Sequence, residues 1–163
     1  MQQQDQLTPG QALTKIKQYC AYQERSHSEV KDRLYGFGLR TDEVDEILAT
    51  LIQENYCNEE RFAEMFAGGK FRMKQWGRVK IRRALQEKRV SDFCIKKALR
   101  EIDEDEYAKT LEKLAETKWN TLRSEKNIFT KMGRARDYLL QKGYESDLVT
   151  QIITKLRNSK SDD

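Results

Sequence analysis

The chain has 163 residues, 37% of them hydrophobic and 36% charged, with a formal net charge of +4. One Pro and eight Gly exclude a turn-rich β architecture, and no apolar run approaches the roughly 20 residues of a membrane span. No secretory pattern opens the chain, and a single histidine, His27, beside the widely spaced Cys20, Cys57 and Cys94 excludes a zinc site.

Nine helices are predicted in chain order. Thr8-Pro9-Gly10-Gln11 supplies an N-cap, Pro at N1 and Gln at N3, and Leu13, Ile16 and Cys20 follow at helical spacing. Ser26-x-x-Glu29 opens a second helix, which carries Val30 and Leu34 to an end near Gly36 and Gly38. Thr41 is expected to cap a third, with Asp42 and Glu43 in its first turn. A fourth begins at Asn58-Glu59-Glu60 and runs inward through Phe62, Met65 or Phe66, Met73 and Trp76, with Gly68-Gly69 as a weak point. The fifth spans about Gly77 to Lys88 with Ile81 and Leu85 inward, and Ser91 or Asp92 caps the sixth. The seventh starts near Asp103 with Tyr107, Leu111 and Leu114. The eighth carries Met132, Ala135, Tyr138 and Leu139, and Ser146 caps the ninth.

One pattern recurs three times without a gap. Leu34-x-x-x-Gly38-Leu39 is followed by Val44, Ile47, Leu48 and Leu51. Leu85-x-x-x-Arg89-Val90 is followed by Ile95, Ala98, Leu99 and Ile102. Leu139-x-x-x-Gly143-Tyr144 is followed by Val149, Ile152, Ile153 and Leu156. Thr41, Asp92 and Ser146 keep one offset from the repeat leucine. Such a period predicts an all-α fold of three tandem three-helix repeats in an elongated, curved array. The expected divisions are a flexible start over 1–10, repeats over 11–57, 58–102 and 103–157, and a flexible tail over 158–163. Arg89 stands where the outer copies have glycine, so that turn must close by another geometry or carry strain.

Charge is unevenly spread. Residues 1–57 carry 6 Lys/Arg against 9 Asp/Glu, residues 58–102 carry 13 against 6, and residues 103–163 carry 12 against 12. Between positions 70 and 89 lie Lys70, Arg72, Lys74, Arg78, Lys80, Arg82, Arg83, Lys88 and Arg89, opposed only by Glu87. A single-sign helix face points to phosphates or to the carboxylates of a protein partner. With Arg61 these residues form the candidate binding set. Lys131, Arg134 and Arg136 repeat the theme more weakly beside Asp137. Trp76, Phe71 and Tyr35 could stack on bases, but Trp76, Trp119 and Phe129 are expected in the core or at hinges. No phosphate-binding G-x-x-x-x-G-K-[ST] occurs, and a lone histidine offers no nucleophile–base pair, so neither catalysis nor a cofactor is expected.

The stretch Asn55-Tyr56-Cys57-Asn58-Glu59-Glu60-Arg61-Phe62-Ala63, then Arg72, then Trp76-Gly77-x-x-x-Ile81-x-x-x-Leu85-x-x-Lys88-x-Val90, resembles the RecX family. That family's central pattern is G-Y-L-[DN]-[DE]-x-R-[FY]-A, a basic segment, and G-x-x-[RK]-I-x-x-x-L-x-x-K-G-I. The resemblance implies a cytoplasmic, non-enzymatic modulator of the RecA recombinase. It would bind the groove of the RecA–single-stranded-DNA filament and suppress ATP hydrolysis, strand exchange and filament growth. It further implies a monomer with weak, salt-sensitive affinity for single- or double-stranded DNA. The departures, Asn55 and Arg89 for Gly, Cys57 for Leu and Asn58 for the commoner Asp, put local turn geometry in question. Three-helix units with sharp turns also suit a sequence-reading, helix-turn-helix-like DNA-binding regulator or a helical protein-interaction scaffold.

Overall fold

A computed structural model describes residues 6–159. Nine helices make up the described residues: α1 Pro9–Tyr22, α2 His27–Gly36, α3 Thr41–Gln53, α4 Glu59–Lys74, α5 Arg78–Glu87, α6 Asp92–Arg100, α7 Glu104–Thr121, α8 Ile128–Lys142 and α9 Ser146–Ser159. None is long and apolar enough to cross a membrane.

The threefold pattern sets the burial. Leu34, Leu85 and Leu139 are all fully buried, as are Val44, Ile95 and Val149 four to five positions into the following stretch, at 1% exposure or less. Leu48, Leu99 and Ile153 follow, with Leu51, Ile102 and Leu156 one turn on. These positions are spaced i, i+4 and i+7 and lie in the third helices, except Ile102, which follows the end of α6, so one stripe faces inward. Ile152 alone is only half-buried.

Repeat turns share a backbone as well. Gly38, Arg89 and Gly143 have φ of 86°, 58° and 98°. In each, the N–H of this residue donates to the carbonyl three residues back, at Tyr35, Gln86 and Leu140. Val90 and Tyr144 then donate to Leu85 and Leu139, the six-to-one bond of a Schellman ending. Arg89 therefore takes the left-handed conformation of the glycines it replaces, and no alternative turn is used. Asn55 does likewise, with φ 63°, at the end of α3.

The third helices begin one residue earlier than caps at Thr41, Asp92 and Ser146 would have it, and of the two residues expected to cap α6 it is Ser91 that does so. Thr41, Asp92 and Ser146 are first helical residues, not caps. The residues before them, Arg40, Ser91 and Glu145, give the carbonyls that accept from Val44, Ile95 and Val149. The extended cap residue is the one immediately before, as Arg40 shows at φ −84°, ψ 161°. At α3 the Glu43 carboxylate accepts the Arg40 N–H at 3.0 Å, and at α6 the Ser91 hydroxyl accepts the Cys94 N–H at 3.3 Å. The capping boxes predicted for α1 and α2 are both formed.

Residues 6–10 are not the loose start expected. Leu7 N–H donates to the Phe37 carbonyl, Gln6 Nε2 to the Gly38 carbonyl, and α1 is helical from Pro9. At the other end α9 continues through Ser159, into the stretch expected to be tail. The remainder of both expected termini, residues 1–5 and 160–163, lies outside the described residues.

Contacts divide the chain into two compact units. Unit 1 comprises residues 1–66 and 85–98, and unit 2 comprises residues 67–84 and 99–163. In unit 1, α1, α2 and α3 pack on one another around Ala12, Ile16, Val30, Leu34, Val44, Ile47 and Leu51. Cys20 and Cys57, 37 residues apart in sequence, meet there with their Sγ atoms 3.7 Å apart. In unit 2, α7, α8 and α9 pack on one another around Leu111, Ala115, Trp119, Leu139, Tyr144 and Val149.

Candidate functional site

In unit 2 the last turn of α8 meets the first turn of α5. Gly77 and Val79 donate their N–H groups to the carbonyls of Lys142 (2.8 Å) and Gly143 (2.9 Å). The Arg78 N–H donates to the Tyr107 hydroxyl at 3.1 Å. The positive end of α5 thus meets the negative end of α8, and these bonds satisfy orphan groups at both termini. Contact this close requires glycine: a Cβ on Gly77 would lie 2.4 Å from the carbonyl carbon and oxygen of Gly143. The end of α4 is held by the same turn, because Lys142 Nζ donates to the Lys74 carbonyl and the Tyr144 hydroxyl to the Gln75 carbonyl.

Arg78 lies over this junction. Its guanidinium donates to Glu145 and Glu104, both at 2.7 Å, and stacks on Tyr107 at 3.9 Å from the ring centroid. Burial works against its charge, but the hydrogen bond to Glu104 and the charge of Glu145 outweigh it and hold Arg78 above its ordinary pKa. Tyr107 donates its hydroxyl to Glu145. Burial first, and then that bond, push the Tyr107 phenol far above the usual tyrosine range, and burial does the same to Tyr144.

The ten basic candidates divide between the two units. Arg61, Lys88 and Arg89 belong to unit 1 and the other seven to unit 2. Arg61 is committed internally: its Nε bonds Glu24 at 2.5 Å, and its two Nη atoms bond the side chain and carbonyl of Asn55, each at 3.2 Å. Lys88 faces Glu29 at 3.5 Å, and its carbonyl accepts the Ser28 hydroxyl. Arg78 is committed as described. Lys70 and Lys80 lie over the ring of Trp76, and Arg82 is half-buried. Arg72, Lys74, Arg83 and Arg89 are exposed, with no carboxylate partner among the described residues.

The weaker third-repeat candidates all have partners within the protein. Lys131 covers Trp119 at 4.3 Å, Arg134 faces Glu125 at 3.8 Å, and Arg136 donates to Thr150 and Ser146 hydroxyls at 2.7 and 3.1 Å. Among aromatics, Phe71 and Trp119 are core, whereas Phe129 is 71% exposed, against expectation. So is Met73, at 83%, and Met65, at 58%. The glycine pair does not break α4, which runs unbroken through Gly68-Gly69. At Gly68 the missing Cβ leaves room for the Arg72 guanidinium, which would lie 2.8 Å from it.

Arg89 holds its position at a backbone cost. A left-handed non-glycine residue is strained by about 1 kcal/mol, and no ion pair offsets it. We expect Arg89→Gly to raise stability by about 1 kcal/mol in denaturant unfolding, while removing one exposed positive charge. Unchanged or lower stability would show that Arg89 makes a contact that outweighs its strain.

Among the described residues no group of three His, Cys, Asp or Glu side chains could hold a metal ion. The arrangement offers exposed cations on helices, a chemistry suited to holding anions.

Residues 58–99 match the family model described as RecX, second three-helix domain, and residues 104–153 match RecX, third three-helix domain; together they cover more than half of the chain. A regulatory protein RecX of Clostridium perfringens is 32% identical over 137 residues, covering 83% of this chain and 64% of the relative. One from Oceanobacillus iheyensis is 26% identical over the whole chain, which spans 59% of it. The chain thus spans less than two thirds of these relatives. The crystal structure of RecX from Lactobacillus salivarius superimposes with a TM-score of 0.82 at 25% identity, covering 91% of this chain and 96% of that one.

Proposed function

This chain belongs to the RecX family, and we propose that it is a RecA modulator that binds the RecA–single-stranded-DNA filament and suppresses its ATP hydrolysis. It acts by binding, as a cytoplasmic monomer, without chemistry of its own. Its three-helix repeats, over 11–57, 58–102 and 103–157, serve as a scaffold that presents cations.

The observation that carries this reading is the lack of any carboxylate from residue 65 to residue 86, a stretch holding seven Lys and Arg. Within that stretch the charge of Arg78 is absorbed by Glu104 and Glu145. Arg72, Lys74 and Arg83 are its exposed, unopposed members. Each phosphate neutralised releases counterions, so binding through these residues weakens steeply with salt. The left-handed Arg89 supports the same reading, since a strained cation is retained where glycine would fold better.

The test is RecA's single-strand-dependent ATPase with and without the protein at stoichiometric amounts. Inhibition is expected, and Arg72→Glu, Lys74→Glu and Arg83→Glu together should abolish it while helical content stays unchanged. No inhibition by the wild type would remove the RecA reading and leave a DNA-binding regulator, recognised by a large preference for one duplex site. Full inhibition by the triple variant would remove the basic stretch from the contact.

A further inference from the structure

We propose that Trp76 is a stacking site for a base of single-stranded nucleic acid, with Lys70 and Lys80 as the phosphate contacts beside it. This deepens the filament reading and rests on it for the identity of the natural strand.

The two tryptophans differ in kind. Trp119 is 1% exposed in the core of unit 2. Trp76 is half-buried, in the turn between α4 and α5. A cation over a ring does not by itself mark a site, since Lys131 lies over the buried Trp119 as well. Trp76 differs in being reachable and in having two ammonium groups, Lys70 Nζ at 5.0 Å and Lys80 Nζ at 4.5 Å from the ring centroid. Arg72, Met73 and Lys74, all exposed, precede it on α4.

Aromatic faces interleaved with cations suit single strands, whose bases are free to leave their own stack. In a duplex the bases are stacked already, so a lone ring can only meet the backbone. An ammonium–ring contact at a site still open to water is no stronger than base–aromatic stacking. An arriving base can therefore displace an ammonium from the ring, and the displaced lysine, on its flexible stem, moves to the neighbouring phosphate. Lysine suits this exchange because its point charge needs no fixed fork geometry.

The turn is also held in place before any strand arrives. Gln75, the residue before Trp76, has φ 57°, and its carbonyl accepts the Tyr144 hydroxyl at 3.0 Å. Trp76 donates its N–H to the Lys70 carbonyl at 3.2 Å, and Gly77, the residue after it, donates to Lys142. The ring thus sits between anchored residues, which lowers the ordering cost of binding.

The test is tryptophan emission of the whole protein during titration with an oligothymidine strand, without RecA. Because Trp119 is buried, quenching reports Trp76. The wild type should quench. Trp76→Ala should lose the quench and bind roughly tenfold or more weakly by an anisotropy titration of labelled strand, whereas Trp76→Phe should keep most of the affinity. Lys70→Gln and Lys80→Gln should each lower the salt slope of log K by about 0.7. A duplex of equal length should bind without the quench.

Should Trp76→Ala fail to fold, Trp76→Leu keeps apolar bulk without a π face and should still bind weakly. Wild-type affinity in the Leu or Ala variant would overturn the proposal, and so would equal quenching by duplex or by polyglutamate, which would mark a merely electrostatic or protein-facing surface. With no RecA present, failure here is distinct from failure of the ATPase test.

Discussion

Gly77→Ala should destabilise unit 2 by about 3 kcal/mol or more, the sum of two lost hydrogen bonds at about 1 kcal/mol each and overpacking of about 1–3 kcal/mol. The added Cβ would lie 2.4 Å from backbone atoms of Gly143, which have no rotamer to escape into. Relief requires α5 to move off α8, and that breaks the Gly77–Lys142 and Val79–Gly143 bonds together. Far-UV circular dichroism should show a melting point lowered by roughly 10 °C or more. The control is Gly69→Ala, because nothing lies within 4 Å of a Cβ at Gly69 in mid-α4. That variant should gain about 1 kcal/mol through helix propensity. Equal effects at the two sites would mean that the close approach at Gly77 is not maintained in solution.

Arg78→Glu is the second severe change, expected to cost about 3 kcal/mol or more in denaturant unfolding. The side chain is 20% exposed and Glu145 is 26% exposed, so this pair is shielded, while the Glu104 arm is 82% exposed and worth little. A glutamate at 78 would place a third carboxylate beside Glu104 and Glu145 and strip Tyr107 of the cation on its ring. Arg78→Met should cost less, since it removes charge without adding repulsion. Combining Arg78→Met with Glu145→Gln should recover part of the loss, because neither variant then leaves an unpaired charge. If Arg78→Glu folds with wild-type stability, Arg78 belongs with the surface cations and not with the junction. Any functional assay of the basic stretch should therefore leave Arg78 intact, since its loss would mimic a binding defect by unfolding unit 2.

The helices and their buried stripe were readable in the chain because they depend on neighbours three to four residues apart. Leu34, Leu85 and Leu139, with the apolar residues that follow each, sit in the core at the positions their spacing predicts. Capping boxes at Thr8 and Ser26 were readable for the same reason. The caps of α3 and α9 were misplaced by one residue, because Arg40 and Glu145 are not capping residue types, whereas Ser91, one of the two residues expected to cap α6, accepts the Cys94 N–H. Met65, Met73 and Phe129 fit the inward pattern but are exposed, since a helix buries only the part of its stripe that another element covers.

Charge shows the limit most clearly. The lysines and arginines could be counted along the chain, and the acid-free stretch found. Which of them bind inward could not, because their partners are remote: Arg61 reaches Glu24 at 37 residues' separation, and Arg78 reaches Glu145 at 67. Long flexible side chains choose the nearest carboxylate in space, and only folding brings that carboxylate near. The same holds for the glycines. Periodicity along the chain marks Gly143 as a turn residue, yet its contact with Gly77 exists only where α8 ends against the start of α5. Local rules thus dictated nine helices, a threefold register and an excess of positive charge. Packing alone decided that Arg61 and Arg78 pair with carboxylates within the protein while Arg72, Lys74, Arg83 and Arg89 stay exposed, because pairing energies depend on distance in space and not along the chain.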